Sequence, residues 1–329
     1  MKLKSVFARK ETSIILVIIG LSVLITIANP TFLTYENLTD ILRSYTVHGI
    51  VAMGMLLVII TAGIDVSVGS MAAAVTVVIG TFLTSVGGNL LLVFIVGCGA
   101  GVLFGLFNGF FISKLKIPAI VVTLGSLSIF RGAELYATGG SWITGLPEWF
   151  IEFGKLSWLG IPIQVFFWLL AGVMTLLLLN LTRFGRGVYA MGGNFEAASR
   201  VGFKNERQLL LVWAYLGLMV GLASVMHTSI VRHVDPNGFA WFELTVIAAT
   251  VLGGANIMGG EGTVLGTFLG VLTLAIVENG LILARIPSYW HQVIVGSVIL
   301  LAVSVDVIQV KRRERRLARI AVEGEEASS

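Results

Sequence analysis

Few side chains in this sequence could do chemistry, and the charged ones that could are embedded in long apolar stretches. Asp65 lies in Gly63-Ile64-Asp65-Val66-Ser67-Val68-Gly69-Ser70, between two hydrophobic runs, and Arg131, Glu134, Glu243 and Glu278 are similarly placed. A charge in hydrocarbon is costly unless it faces water or a partner, and so few of them suit an uncharged ligand. Acid–base catalysis is disfavoured, because the carboxylates do not cluster as a catalytic pair and no Gly-x-Ser-x-Gly turn occurs. His48, His227, His233 and His291 are scattered, and only His227 and His233 are close in sequence. Their spacing does not stack on one helical face, so no metal centre is expected. Arg131 and Glu134, three residues apart, are placed to pair with each other. Asp65 has two readings: the cap of a helix starting at Val66, with Ser67 helping, or direct contact with a ligand beside Ser67 and Ser70. Asn108, Thr123, Asn256 and Asn279 are neutral hydrogen-bonding groups at membrane depth, suited to hydroxyl groups and equally to bonds between helices.

A second polar feature runs from Arg183 to Gln208 and carries Arg183, Arg186, Arg200, Lys204 and Arg207. At its centre, Asn194 can cap a short helix, Glu196 follows near the positive helix end, and Ala197 and Ala198 are strong helix formers. A compact polar helix between two membrane spans reads as a docking surface, or else as a solvated connecting loop.

The elements that must position these residues follow from composition. The 329 residues are 56% hydrophobic and 12% charged, with a mean hydropathy of +0.94. That is the balance of an all-α polytopic membrane bundle. Apolar windows place about ten spans, near 13–28, 44–61, 70–85, 90–112, 118–136, 162–181, 209–230, 242–252, 263–283 and 290–310. Residues 31–39 are expected as an outer loop, and 138–160, with Trp142, Trp149 and Trp158, as an interfacial loop. Of the 22 Lys and Arg residues, 17 fall in 1–12, 113–117, 182–208 and 311–329. The positive-inside bias therefore puts those segments and both termini in the cytoplasm, with residues 13–310 as the membrane domain and 311–329 as a basic tail. The first span reads as an uncleaved signal anchor. The net charge of +4 is divided among loops, which gives no face for nucleic acid. Cys98 stands alone, which excludes an internal disulfide.

Two glycine-punctuated interruptions, around Asp65 and around Asn256, occur at comparable places in the two halves and suggest an internal repeat, inverted or parallel. Paired broken helices point to a transport pathway; close glycine packing is the plainer alternative. No Gly-x-x-x-x-Gly-Lys-Ser/Thr loop is present, so ATP is not bound here in the P-loop manner. An ion-coupled carrier, with Asp65 or Glu278 as the coupling carboxylate, is the rival to a transport subunit whose energy comes from ATP bound by partner subunits.

Four segments carry a resemblance: GIDVSVGS at 63–70, KIPAIVVTLGSLSIFRG at 116–132, GRGVYAMGGNFEAASRVGF at 185–203 and VLGGANIMGGEGTVLGT at 251–267. Together they resemble the membrane permeases of bacterial ABC importers for monosaccharides. GGSWITGLPEWF at 139–150 and ARIPSYW at 284–290 look most like the autoinducer-2 permeases of that group, with the rhamnose permeases close behind. The resemblance implies an inner-membrane assembly: a second permease, identical or a sister, two cytoplasmic ATPases that bind ATP and Mg, and a periplasmic or lipid-anchored sugar-binding protein. This chain would then need no cofactor of its own. It implies that Gly187, Ala190, Gly192, Asn194, Glu196, Ala197, Ala198, Arg200 and Gly202 form the loop that docks on the ATPase, its small residues letting the helix lie in a groove. The departure is the basic tail, which suits anionic lipid.

Overall fold

The computed structural model describes residues 9–287, together with 289, 290, 292–297, 300 and 304. The described residues are mostly helical. Among the described residues, eight helices are long and apolar enough to cross a membrane. They are α1 (Arg9–Ala28), α2 (Tyr35–Ile60), α3 (Val68–Ser85), α4 (Leu90–Ser113), α5 (Ala119–Thr138), α7 (Ile163–Leu181), α10 (Asn205–Val231) and α12 (Val264–Leu283). Shorter helices are α6 (Glu148–Lys155), α8 (Arg183–Gly193), α9 (Phe195–Arg200) and α11 (Phe242–Leu252). Most of the expected tenth span, residues 1–8 of the expected N-terminal cytoplasmic segment and the C-terminal segment 311–329 lie outside the described residues, whereas residues 9–12, expected as part of that N-terminal segment, are the first turn of α1.

The centre is α2, in which every residue from Gly49 to Ile60 is buried. A helix that is apolar on all sides belongs inside a bundle. Around it stand α7, α10, α11 and α12, and Trp168 of α7 stacks on Phe268 of α12 at 4.3 Å. The tightest seam is between α4 and α10, where Gly101 faces Gly217 so closely that a Cβ on either would run into the other's backbone. Small residues at such seams let dispersion and polar contacts act at short range where lipid offers no hydrophobic drive. The outer face of α4 instead exposes Leu91, Ile95, Leu103 and Phe110, as a lipid-facing surface should.

Three expectations are revised. The outer loop over 31–39 contains a 3₁₀ turn, Pro30–Leu33, and the start of α2. Asn29-Pro30 does end α1, but the Thr34 side chain accepts from Asn37 N at 3.4 Å and restarts a helix. Polar residues of its first turns are then held by partners, Arg43 donating to the Gly154 carbonyl at 2.5 Å. The loop over 138–160 carries α6 and a two-residue antiparallel pair, Ser157–Trp158 with Ile161–Pro162. Its Trp142 and Trp158 are exposed, and Trp142 stacks on His233 at 4.7 Å. Residues 183–193, expected as polar connection, are the helix α8, begun by Thr182 accepting from Gly185 N at 3.1 Å. Its glycines weaken local propensity, and burial of Val188 and Met191 overrides that.

Candidate functional site

The break between α2 and α3 is a buried polar knot. Asp65 is fully buried, and its Oδ1 accepts from both the backbone N and the hydroxyl of Ser67, each at 2.6 Å. Asn108, reaching from α4, donates to Ser67 Oγ at 2.9 Å and lies 3.5 Å from Asp65 Oδ2. From α5, Thr123 donates to the Ile64 carbonyl at 3.4 Å, and Ser70 donates to the Ser67 carbonyl at 2.9 Å. Of the eight polar residues expected along a substrate pathway, Asp65, Ser67, Ser70, Asn108, Thr123, Asn256, Glu278 and Asn279, the first five thus come together. The expected cap is corrected: α3 starts at Val68, two residues later than expected, and Asp65 closes a turn two residues long ahead of it. An aspartate bonding the amide two positions on forms this turn in preference to a helix cap.

The second break, between α11 and α12, uses the same turn. Asn256 Oδ1 accepts from Met258 N at 2.9 Å, and the Asn256 backbone amide donates to the Glu261 carbonyl at 3.0 Å. Gly259 and Gly260 then take positive φ values of 90° and 81°, open to glycine and unfavourable for other residues. The two breaks meet here. Gly260 N donates to the carbonyl of Ile60, the last residue of α2, at 2.8 Å. Helix α8 closes the junction, with Tyr189 donating to the Gly262 carbonyl at 2.8 Å. Gly192 presses against both breaks: a Cβ there would overlap the Ile60 carbonyl oxygen and the Gly260 backbone.

Beyond the junction, Asn194 caps α9 as expected, its Oδ1 accepting from Ala197 N at 2.8 Å. Glu196 and Arg200 pair at 3.7 Å on its surface. Gly202, with φ 94°, turns the chain after α9, while Gly187 is buried against the Gln208 side chain. The expected docking face changes in one respect. Ala198 is only 2% exposed and faces its own chain, and Ala190 and Gly192 are half-buried. The residues α9 turns outward are Phe195 (50% exposed), Glu196, Ala197, Ser199 and Arg200, followed by Val201 (74% exposed). Six residues make under two turns, so one alanine of the adjacent pair must face inward.

Glu278 and Asn279 lie in the last turns of α12, about 22 Å along the helix from the second break. Asn279 exchanges hydrogen bonds with Asn37 of α2, at 2.8 and 3.1 Å, so both its polar ends serve helix packing. Glu278 Oε2 accepts from the Tyr45 hydroxyl, and both residues line a cavity of about 550 Å³ with His48, His227, Phe239 and Phe242. Those four ring-bearing residues and Tyr45 are not among the pathway residues expected from sequence. The available signal was a histidine inside an apolar span, costly for the same reason as a carboxylate. The expected pair is present: Arg131 and Glu134 stand 2.7 Å apart, and Arg131 also donates to the carbonyls of Pro236 and Gly238.

Helices interrupted at two points, joined to each other and to a surface helix pair between two spans, define a polytopic helical transport protein. The chain belongs to the family described as branched-chain amino acid transport system / permease component, whose match covers residues 37–303. Among curated relatives, it is 38% identical over 288 residues to the ribose import permease protein RbsC of Bacillus subtilis (strain 168), covering 87% of this chain and 89% of that one. It is 35% identical over 298 residues to the autoinducer 2 import system permease protein LsrC of Salmonella choleraesuis (strain SC-B67), covering 91% and 86%. The corresponding LsrC of Photorhabdus laumondii subsp. laumondii is 33% identical over 326 residues, 96% of each chain. No solved structure matches this chain.

Proposed function

We propose that this chain is the channel-forming membrane subunit of an ATP-driven importer that moves a neutral sugar or sugar-like molecule into the cell. The observation that carries the mechanism is the junction at Gly192, where a surface helix touches both helix breaks through backbone. A push on α8 and α9 from a partner would displace the ends of α2 and the start of α12 together, because close-packed backbone has no soft side chain to absorb the movement. ATP and Mg belong on two cytoplasmic ATPase subunits docked on α9, with a second permease completing the channel and a sugar-binding protein delivering cargo outside. The relatives import ribose and autoinducer 2, which supports a small, uncharged, hydroxylated cargo.

In this arrangement both termini and the α8–α9 segment are cytoplasmic and the tryptophan-bearing loop is outside. With Cys98 replaced, a cysteine placed between 140 and 158 should react with an impermeant thiol reagent on whole cells, and one between 186 and 206 should not. Reversed labelling would remove α9 from the ATPase side. The energy source is tested in vesicles carrying the reconstituted system. Uptake should require ATP on the cytoplasmic side and the binding protein, and should survive collapse of the proton gradient. Uptake driven by the gradient without ATP would instead support an ion-coupled carrier using Asp65 or Glu278.

A further inference from the structure

The cavity between α2, α10, α11 and α12 stands apart from the junction: His48 precedes Ile60 by twelve residues, about 18 Å along α2. Its volume, about 550 Å³, is within the range of small-molecule sites. Rings follow one another along its wall. Tyr45 stacks on His48 at 4.9 Å, His48 meets Phe242 at 4.6 Å, Phe242 meets Phe239 at 5.2 Å, and Phe239 meets His227 at 4.3 Å. Polar atoms are set among these faces. The Tyr45 hydroxyl orients the Glu278 carboxylate, and Thr245, Gln292 and the His48 ring also lie on the lining.

Ring faces with a few oriented hydrogen-bonding groups suit a compact molecule that has an apolar C–H face and a rim of hydroxyls. A lipid chain would press the Glu278 carboxylate and the polar groups of Gln292 and Thr245 against hydrocarbon. We propose that this cavity is a sugar-binding site of the permease itself, holding cargo on its way from the outer side toward the junction. This rests on the transport reading above and adds a selectivity step to the membrane subunit, beyond whatever the binding protein selects.

The test uses the purified permease–ATPase complex without its binding protein. Trp241 lines the cavity, so its fluorescence reports occupancy, and Trp241→Phe identifies its share of the signal. D-ribose, L-rhamnose and autoinducer 2 are titrated in turn. At least one should give a saturable change that Trp241→Phe removes. His48→Phe and Glu278→Gln should each weaken it about tenfold. If a variant fails to assemble, the wild-type titration still decides. No saturable binding of any of the three, while the complete system imports one of them, would overturn the site and leave the transport reading intact. Neither binding nor import of any would overturn both. A lipid found in the cavity by native mass spectrometry and displaced by none of the sugars would also overturn it.

Discussion

The break between α2 and α3 and the break between α11 and α12 begin with the same local turn and end in opposite surroundings. In each, a side-chain oxygen accepts from the backbone amide two residues on, Asp65 from Ser67 and Asn256 from Met258. Asp65 is then enclosed by α4 and α5, and its acceptor oxygens satisfy donors shielded from solvent. The Asn256 turn leads to Met258, which is 73% exposed. Identical local chemistry therefore carries different energetic weight, because an unmade hydrogen bond is expensive only where water cannot replace it. The first break is a fixed support and the second a more open loop that reaches across to it.

The largest expected effect follows from that contrast. Asp65→Ala leaves the Ser67 amide, the Ser67 hydroxyl and the Asn108 amide short of an acceptor, and should cost about 3 kcal/mol of stability with loss of folded yield. Asn256→Ala, at a turn open to solvent, should cost about 1 kcal/mol or less. Thermal unfolding of the two purified variants compares them directly, and equal losses would show that burial is not what separates the breaks.

Next in size is the contact that joins the breaks. Gly192→Ala must push apart the Ile60 carbonyl and the Gly260 backbone, at about 2 kcal/mol, with uptake falling several-fold while the ATPase still co-purifies. Gly193→Ala is the control, since a Cβ there meets nothing within 4 Å. Matching effects at 192 and 193 would dissolve the junction as a coupling element.

A smaller effect is expected from Asp65→Asn. Asn108 Oδ1 has no hydrogen-bond partner among the described residues, so rotating the Asn108 amide would offer that oxygen to the NH₂ group the substitution introduces. The variant should stay within about 1 kcal/mol of the parent and keep most uptake. A folded, ATPase-bound Asp65→Asn protein with no transport would mean that the charge itself is used.

Smallest on stability, within about 0.5 kcal/mol, is Phe195→Ser combined with Val201→Ser, because both side chains are largely exposed. Recovery of the ATPase with the permease should nevertheless drop. Unchanged recovery would move the docking surface away from α9.

Much of this was legible in the chain. The long spans follow from runs of apolar residues because transfer into a bilayer is nearly a local sum; Phe242–Leu252, expected as a span, is a helix of 11 residues that ends where its apolar run dissolves into glycines and is too short to cross alone. The Asn194 cap and the Arg131–Glu134 pair were readable because each involves neighbours within one helical turn. Helix α8 was not readable, since its glycines oppose helix formation and only the burial of Val188 and Met191 offsets them.

The sequence by itself determined that this is a multi-span helical protein, where its helices break, and which loop is basic. Only the tertiary structure decided that the two breaks touch, that Gly192 lies against both, that Ala198 turns inward, and that Tyr45, His48, His227 and Glu278 share one cavity. Hydropathy and turn chemistry act over a few residues and repeat along the chain. Which faces of distant helices meet depends on how each is rotated about its own axis. Close approach at a few small residues sets that rotation, as Gly101 and Gly217 do between α4 and α10.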